Sequence, residues 1–253
     1  MFLFKKKKLV LDCFTYRPDV YAYFPIERAS KNMPEWWKNT PPTAAMDNIN
    51  LVEIPTIKSC VGLINYYSNA ISIPMWSDCK IVTSIERNEI NWFFSDLKTN
   101  CVSHHHSQNG NYFHNSTSVY AHMKINSPWA FKCNEDIKFV FTGNTWAIDN
   151  PERIVIPPGV IDFKYQNSTN INMFVKIDDN SAIFNANTSL VHVFPMTERE
   201  IDIRNHHVSE KEFDDILDMS RTNYFSKSYL KHRTHLKNKE KSSKCPVSSL
   251  FKT

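Results

Sequence analysis

The chain has 253 residues, a net charge of +4, and 42% hydrophobic against 22% charged residues, a composition that fits a globular protein able to bury a substantial core. Its only glycines are Gly62, Gly110, Gly143 and Gly159, too few and too dispersed for a P-loop or a dinucleotide-binding turn. Cys13, Cys60, Cys79, Cys101, Cys133 and Cys245 form no C-x-x-C pair, which excludes a zinc ribbon and suggests free thiols in a reducing interior.

The positive charge is uneven. Lys5 to Lys8 and the segment 227–244 hold much of the excess, while the middle is close to neutral. Basic ends of this kind either stay solvated or meet nucleic acid, acidic membrane or an acidic protein surface. No apolar run approaches a membrane span. The opening MFLF precedes four lysines instead of following them, so no secretory signal peptide is expected. Abundant Asn, Lys and Ile beside scarce Gly and Ala suggests A/T-rich coding DNA.

Residues 9–24 read as one or two strands broken at Arg17–Pro18, because proline cannot donate to a ladder. Residues 25–43 form a linker in which Pro34 and Glu35 open a helical turn and Pro41–Pro42 end it. Trp36 and Trp37 inside it either pin the linker to the core or form an exposed docking surface. A short helix is predicted from Thr56 through Tyr67, then an extended segment from Ile71 to Met75. Residues 79–85 and 89–94 make a hairpin around Glu86–Asn88. Residues 95–118 are a long polar connection of the kind that is often functional.

The block 119–197 is the centre of the reading. VYAHMKI, WAFKC, IKFVFT, RIVIP, GVIDFKY, INMFVKI, SAIF and SLVHVFP follow one another at strand length, separated by Asn, Asp, Pro and Gly turns such as Gly143–Asn144 and Asp178–Asn180. That pitch predicts a sandwich or barrel. EREIDIRNHH follows as a last strand or extended arm. Ser209 and Glu212 then form a capping box that predicts a helix over 209–222. The expected fold is mainly β: a jelly-roll-like sandwich or barrel with an N-terminal α+β segment and a C-terminal helix. Its expected units are 1–53 (N-terminal strands and the Trp–Trp linker), 54–205 (β domain) and 206–253 (helix and basic tail).

Candidate chemistry centres on histidine. His104, His105, His106, His114 and His122 cluster in sequence, and His192 lies on the last core strand. On a strand His104 and His106 share a face and His105 does not. Neutral imidazoles suit divalent iron or another transition metal, so His104, His106 and His192 are the candidate metal ligands of a jelly-roll enzyme such as an Fe(II) oxygenase, with Asp149, Glu152 or Asp162 able to add a carboxylate. The competing reading is a solvated histidine-rich loop, and the place of the usual carboxylate two residues after the first histidine is held by His106. No G-x-S-x-G elbow occurs. In the basic segment NYFSKSYLKHRTHLKNKEK, Lys231 and Arg233 are candidate interaction residues, and its interleaved aromatics suit single-stranded nucleic acid or a plain surface helix.

The succession PIERASKNMPEWWKN, TIKSCVGLINYYSNAISIPMWSD, SPWAFKC and TSLVHVFPMTER resembles a family of uncharacterised proteins of marine tailed phages with bacterial relatives, over roughly 25–199. The chain departs from that pattern at Gly62, where the family commonly has proline. The resemblance implies phage or bacterial origin and assigns no catalytic residue. The expectation is therefore a non-enzymatic, phage-associated structural or interaction protein, a virion or assembly component, located in host cytoplasm or virion. Its expected partners are other phage or host proteins, or copies of itself. The alternatives are the metal enzyme and nucleic-acid binding through the tail.

Overall fold

The computed structural model describes residues 7–45, 53–87, 89–95, 102–104, 114–115, 118–144, 146, 151–221, 234–235 and 237–238. The protein is mainly β, built from open sheets packed on one another like a sandwich, with no closed barrel among the described residues.

The strand Leu9–Thr15 alternates strictly, with Leu9, Leu11, Cys13 and Thr15 buried, the period-2 signature of a strand with one face on the core. It pairs antiparallel with Ala130–Lys132 and in parallel with Ile201–His207, from Leu9 opposite Ile201 to Thr15 opposite His207. An early and a late strand of the chain thus meet in one small sheet. The expected second strand after Arg17 is instead a helix, Pro18–Tyr23. Pro18 fits the first helical turn, where its missing N–H costs nothing, and Asp19 lies near the positive helix end.

Two five-stranded sheets form the body. One runs Ile154–Val155, Ile171–Lys176, Ser118–Ile125, Val102–His104, with His114–Asn115 also on Ser118–Ile125. The other runs Gly159–Ile161, Phe139–Gly143, Ser189–Pro195, Ile71–Pro74, Glu27–Arg28. The predicted hairpin is present as Cys79–Ser84 and Glu89–Phe94, joined by Ser181–Phe184. One continuous core links these sheets through Leu11, Ile73, Ile81, Met123, Phe131 and Val193. Each such side chain contributes about 1.5–3 kcal/mol when fully buried.

Three local departures from the sequence reading have clear causes. The segment GVIDFKY leaves the sheet after Ile161, because the carbonyl of Asp162 accepts the N–H groups of Tyr165 at 3.0 Å and Gln166 at 2.9 Å. Phe163 still reaches the core from this turn and packs against Phe139 at 4.9 Å between ring centroids. Gly143 is not a turn residue but the end of a strand, where a Cβ would meet that of Ile156 at 2.9 Å. Part of the polar connection, Val102–His104, pairs with Met123–Ile125.

The expected turns at 178–180 and 185–187 hold left-handed residues, Asp179 (φ 57°) and Asn187 (φ 67°), types that tolerate that region. The C-terminal helix is Glu210–Arg221. Its capping box closes both ways: the Ser209 N–H donates to Glu212 Oε2 at 3.0 Å, and the Glu212 N–H donates to Ser209 Oγ at 3.3 Å. No helix of the described residues is long and apolar enough to cross a membrane.

Candidate interaction surface

The functional candidate lies on the outer face of the second five-stranded sheet. Thr142, His192, Ser72 and Glu27 are successive cross-strand partners and form one row on that face. The adjacent row, Phe141, Val193 and Ile71, faces the core. The outer row would be solvated on a bare antiparallel sheet. Here the helix Val61–Asn69 lies over it, with Tyr66 and Tyr67 against His192, and the short helix Glu35–Asn39 packs on Tyr67 through Trp37.

His192 is completely buried by this cover. Its ring lies 5.5 Å from both Tyr66 and Tyr67, and its Nδ1 is 3.1 Å from the Tyr66 hydroxyl. Burial pulls the imidazole down to about 4, so the ring is neutral at pH 7. Burial, with Tyr67 beside it, pushes the Tyr66 phenol up to about 12. His192 Nε2 and Ser72 Oγ, neighbours in the row, are both buried without a hydrogen-bond partner among the described residues. Tyr66 also packs on Phe194 at 4.6 Å, and Ala29, Tyr67 and Ala70 complete a small second core.

From this base an aromatic series climbs outward. Tyr67 meets Trp37 at 5.9 Å, Trp37 meets Trp36 at 5.7 Å, and Trp36 meets Trp146 edge-on at 5.2 Å. Trp37 is only 7% exposed, whereas Trp36 and Trp146 are 41% and 40% exposed. The tandem tryptophans therefore differ in exposure. Trp37 pins the linker, and Trp36 faces solvent. Pro34 at the N-cap and Glu35 in the first turn set the helical phase that separates them.

The helix Val61–Asn69 extends the exposed surface. Its sequence, VGLINYYSN, contains no charged residue. Val61 and Ile64 lie at three-residue spacing on the line that ends at Tyr67, and they are 68% and 45% exposed. A surface helix normally turns a polar face outward. An uncharged helix that exposes Val61 and Ile64 together with Asn65 and Ser68, with Trp37 and Trp146 packed on its Tyr67, is an apolar feature of a kind found at interfaces. Two nearby lysines are paired with glutamates, Lys31 with Glu27 and Lys38 with Glu35, each at 2.5 Å, while Arg28 and Lys58 donate to backbone carbonyls.

The remaining sequence candidates are dispersed. His104 is on the strand Val102–His104, in the other five-stranded sheet from His192. His106, Lys231, Arg233 and Asp149 lie outside the described residues. His122 stacks on Phe174 at 4.9 Å and its Nε2 is 3.3 Å from Asn172 Oδ1. Asp162 is buried at its turn and Glu152 is exposed. No group of three His, Cys, Asp or Glu side chains among the described residues is placed to hold a metal ion. Cys13, Cys79 and Cys133 are buried free thiols, and burial, with the Asp12 charge, pushes the Cys13 thiol well above its usual range.

Sequence reasoning did not single out Tyr66, Tyr67, Val61, Ile64 or Trp146. The available signal was the helix itself, nine residues without a charge. The fold and this surface together define a β-sandwich-like scaffold bearing an aromatic and aliphatic patch over a buried histidine. In comparisons with known proteins, no family model and no curated sequence matches the chain.

Proposed function

We propose that the chain is a non-enzymatic interaction protein that docks an apolar, uncharged segment of another protein on the surface formed by Trp36, Trp146, Ile64 and Val61. The observation that supports this reading most directly is the uncharged Val61–Asn69 helix with aliphatic residues on its exposed side. Hot spots of binding energy favour rigid, partly buried aromatics, and Trp36 sits on a base of Trp37 and Tyr67 that holds it in place. The neighbouring Lys31 and Lys38 are paired with Glu27 and Glu35, and Arg28 and Lys58 reach backbone carbonyls beside the same helix. The resemblance to tailed-phage proteins suggests the setting: a virion or assembly component.

The test is incorporation into particles of a phage that encodes the chain. Wild type and the full-length variants Ile64→Asp and Trp36→Ser are supplied during assembly, and particles are analysed by mass spectrometry. Wild type is expected in the particles or in an assembly intermediate, and both variants are expected to be lost from it while remaining folded, Trp36→Ser with a stability loss of no more than about 1.5 kcal/mol. A wild-type chain that is absent from every assembly fraction and stays a monodisperse monomer overturns the proposal. So does undiminished incorporation of both variants.

A further inference from the structure

The strands Thr43–Ala45 and Glu53–Pro55 pair antiparallel as a two-stranded sheet of their own, with Thr43 opposite Pro55, Ala44 opposite Ile54 and Ala45 opposite Glu53. A lone two-stranded ribbon is marginal in water unless something packs on it. Among the described residues neither core cluster includes a residue of these strands. Ala44, Ala45, Glu53 and Pro55 are exposed, and Ile54 is 40% exposed.

The base of this arm, by contrast, is fixed. The Thr56 N–H and the Ser59 hydroxyl donate to the Pro42 carbonyl at 2.9 and 2.8 Å, and Lys58 Nζ donates to the Lys38 carbonyl at 2.7 Å. These bonds tie the arm to the body between the helix Glu35–Asn39 and the helix Val61–Asn69, at the rim of the aromatic surface.

Exposed aliphatics continue from the arm onto that surface. Ile54, Ile57, Val61 and Ile64 follow one another at spacings of three, four and three residues, and all four are exposed, Ile57 at 47%. Val61 and Ile64 are open to solvent, so the arm does not cover the surface of its own molecule. The arm suits that surface in chemistry. Ala44 and Ile54 are cross-strand partners on one face of the ribbon, and that face is uncharged. Residues 43–55 contain Asp47 and Glu53 and no Lys or Arg. Around the receiving surface Arg28, Lys31, Lys38 and Lys58 outnumber Glu27 and Glu35. The acidic arm therefore complements a rim with an excess of bases.

We infer that the occupant of the Trp36–Ile64 surface is the Thr43–Pro55 arm of a second copy of this chain, an assignment that rests on the docking role proposed for that surface. The two copies exchange arms about a twofold axis, and each arm lies on the Val61, Ile64 and Trp36 of the other. Each copy gives one arm and takes one, so the contact is isologous and closes at two copies.

Sedimentation velocity of the full chain over a range of concentrations tests the exchange. Wild type is expected to pass reversibly from monomer to dimer. Ile54→Asp in the arm and Ile64→Asp on the surface are each expected to weaken the dimer about tenfold or more, with the circular dichroism spectrum unchanged. Ile54→Ser gives a second reading of the arm if the aspartate variant does not fold. Mixing Ile54→Asp with Ile64→Asp chains is expected to restore heterodimer, because the intact arm of one meets the intact surface of the other. A wild type that is monomeric at every concentration overturns the inference, as does a dimer left undiminished by Ile54→Asp. A mixture no more dimeric than its components overturns it as well. A monomeric wild type whose Ile64→Asp variant is still lost from particles overturns the arm exchange and leaves the docking role standing.

Discussion

His192 Nδ1 and the Tyr66 hydroxyl, 126 residues apart, stand 3.1 Å from each other and tie the helix Val61–Asn69 to the strand beneath it. The ring has no access to water and is held neutral, with its pKa drawn from 6.5 down to about 4. In the unfolded chain the same imidazole takes a proton at its ordinary value. Between those two values the unfolded state holds the extra proton, so stability rises with pH across that window and falls as pH drops from 6.5 toward about 4. Above 6.5 both states are neutral and the contribution to the slope vanishes. The slope from this one group is about 1.4 kcal/mol per pH unit. Urea unfolding of wild type and His192→Phe at a series of pH values checks this. The difference between the two proteins is expected to be flat above 6.5 and to close progressively below it. A difference independent of pH would show that the ring is not kept neutral.

The two tryptophans separate stability from binding. Trp37→Ala removes a buried indole from between Trp36 and Tyr67 and is expected to cost about 3–5 kcal/mol. Trp36→Ala loses edge contacts to Trp37 and Trp146 on a half-exposed ring and is expected to cost no more than about 1.5 kcal/mol. Chemical denaturation orders the two. Equal losses would mean that Trp36 is structural and not a docking residue.

How much of this was legible in the sequence differs between fold and site. Strand-length apolar runs set off by turn residues marked the strands, and SAIF and SLVHVFP form the strands Ser181–Phe184 and Ser189–Pro195 without adjustment. The capping box located the last helix for the same reason: it is a local hydrogen-bond pattern. The helix Pro18–Tyr23 was hidden because proline ends a strand and opens a helix alike. The candidate surface was hidden more deeply. Trp36, Trp146, Tyr67 and His192 come from four separate segments, and their meeting depends on which sheet face the helix Val61–Asn69 covers. His192 was singled out as a ligand from its residue type and its place on the last core strand, whereas its ring is sealed beneath two tyrosines.

A buried ion pair offers a third test. Arg153 and Asp178 are 6% and 17% exposed in their side chains, and Arg153 Nε lies 3.1 and 3.0 Å from the two carboxylate oxygens. Burial works to raise the Asp178 pKa, but the hydrogen bonds and charge of Arg153, with Lys176, hold it below 3.8. The stabilising contribution is therefore complete above that value and is lost as pH falls below it. Asp178→Leu strands a buried guanidinium and is expected to cost about 3–5 kcal/mol. Adding Arg153→Met removes the stranded charge, so the double variant should be more stable than the single one. A double-mutant cycle by urea unfolding measures this, and simple additivity of the two losses would contradict the pairing.

Gly143 gives the sharpest steric prediction. It closes the strand Phe139–Gly143 opposite Val191, one residue beyond Thr142, which is the partner of His192. A Cβ there would stand 2.9 Å from that of Ile156, closer than packed carbons approach, and Ile156 is itself packed against the core. The atom opposed is a Cβ, fixed to its backbone, and cannot swing aside as a side-chain tip would. Gly143→Ala must therefore displace the segment around Ile156 and is expected to cost about 1–3 kcal/mol. Gly159→Ala is the control, since nothing lies within 4 Å of the added carbon. Thermal unfolding should separate the two variants by several degrees. If Gly143→Ala unfolds at the same temperature as Gly159→Ala, the close approach of the two segments is wrong.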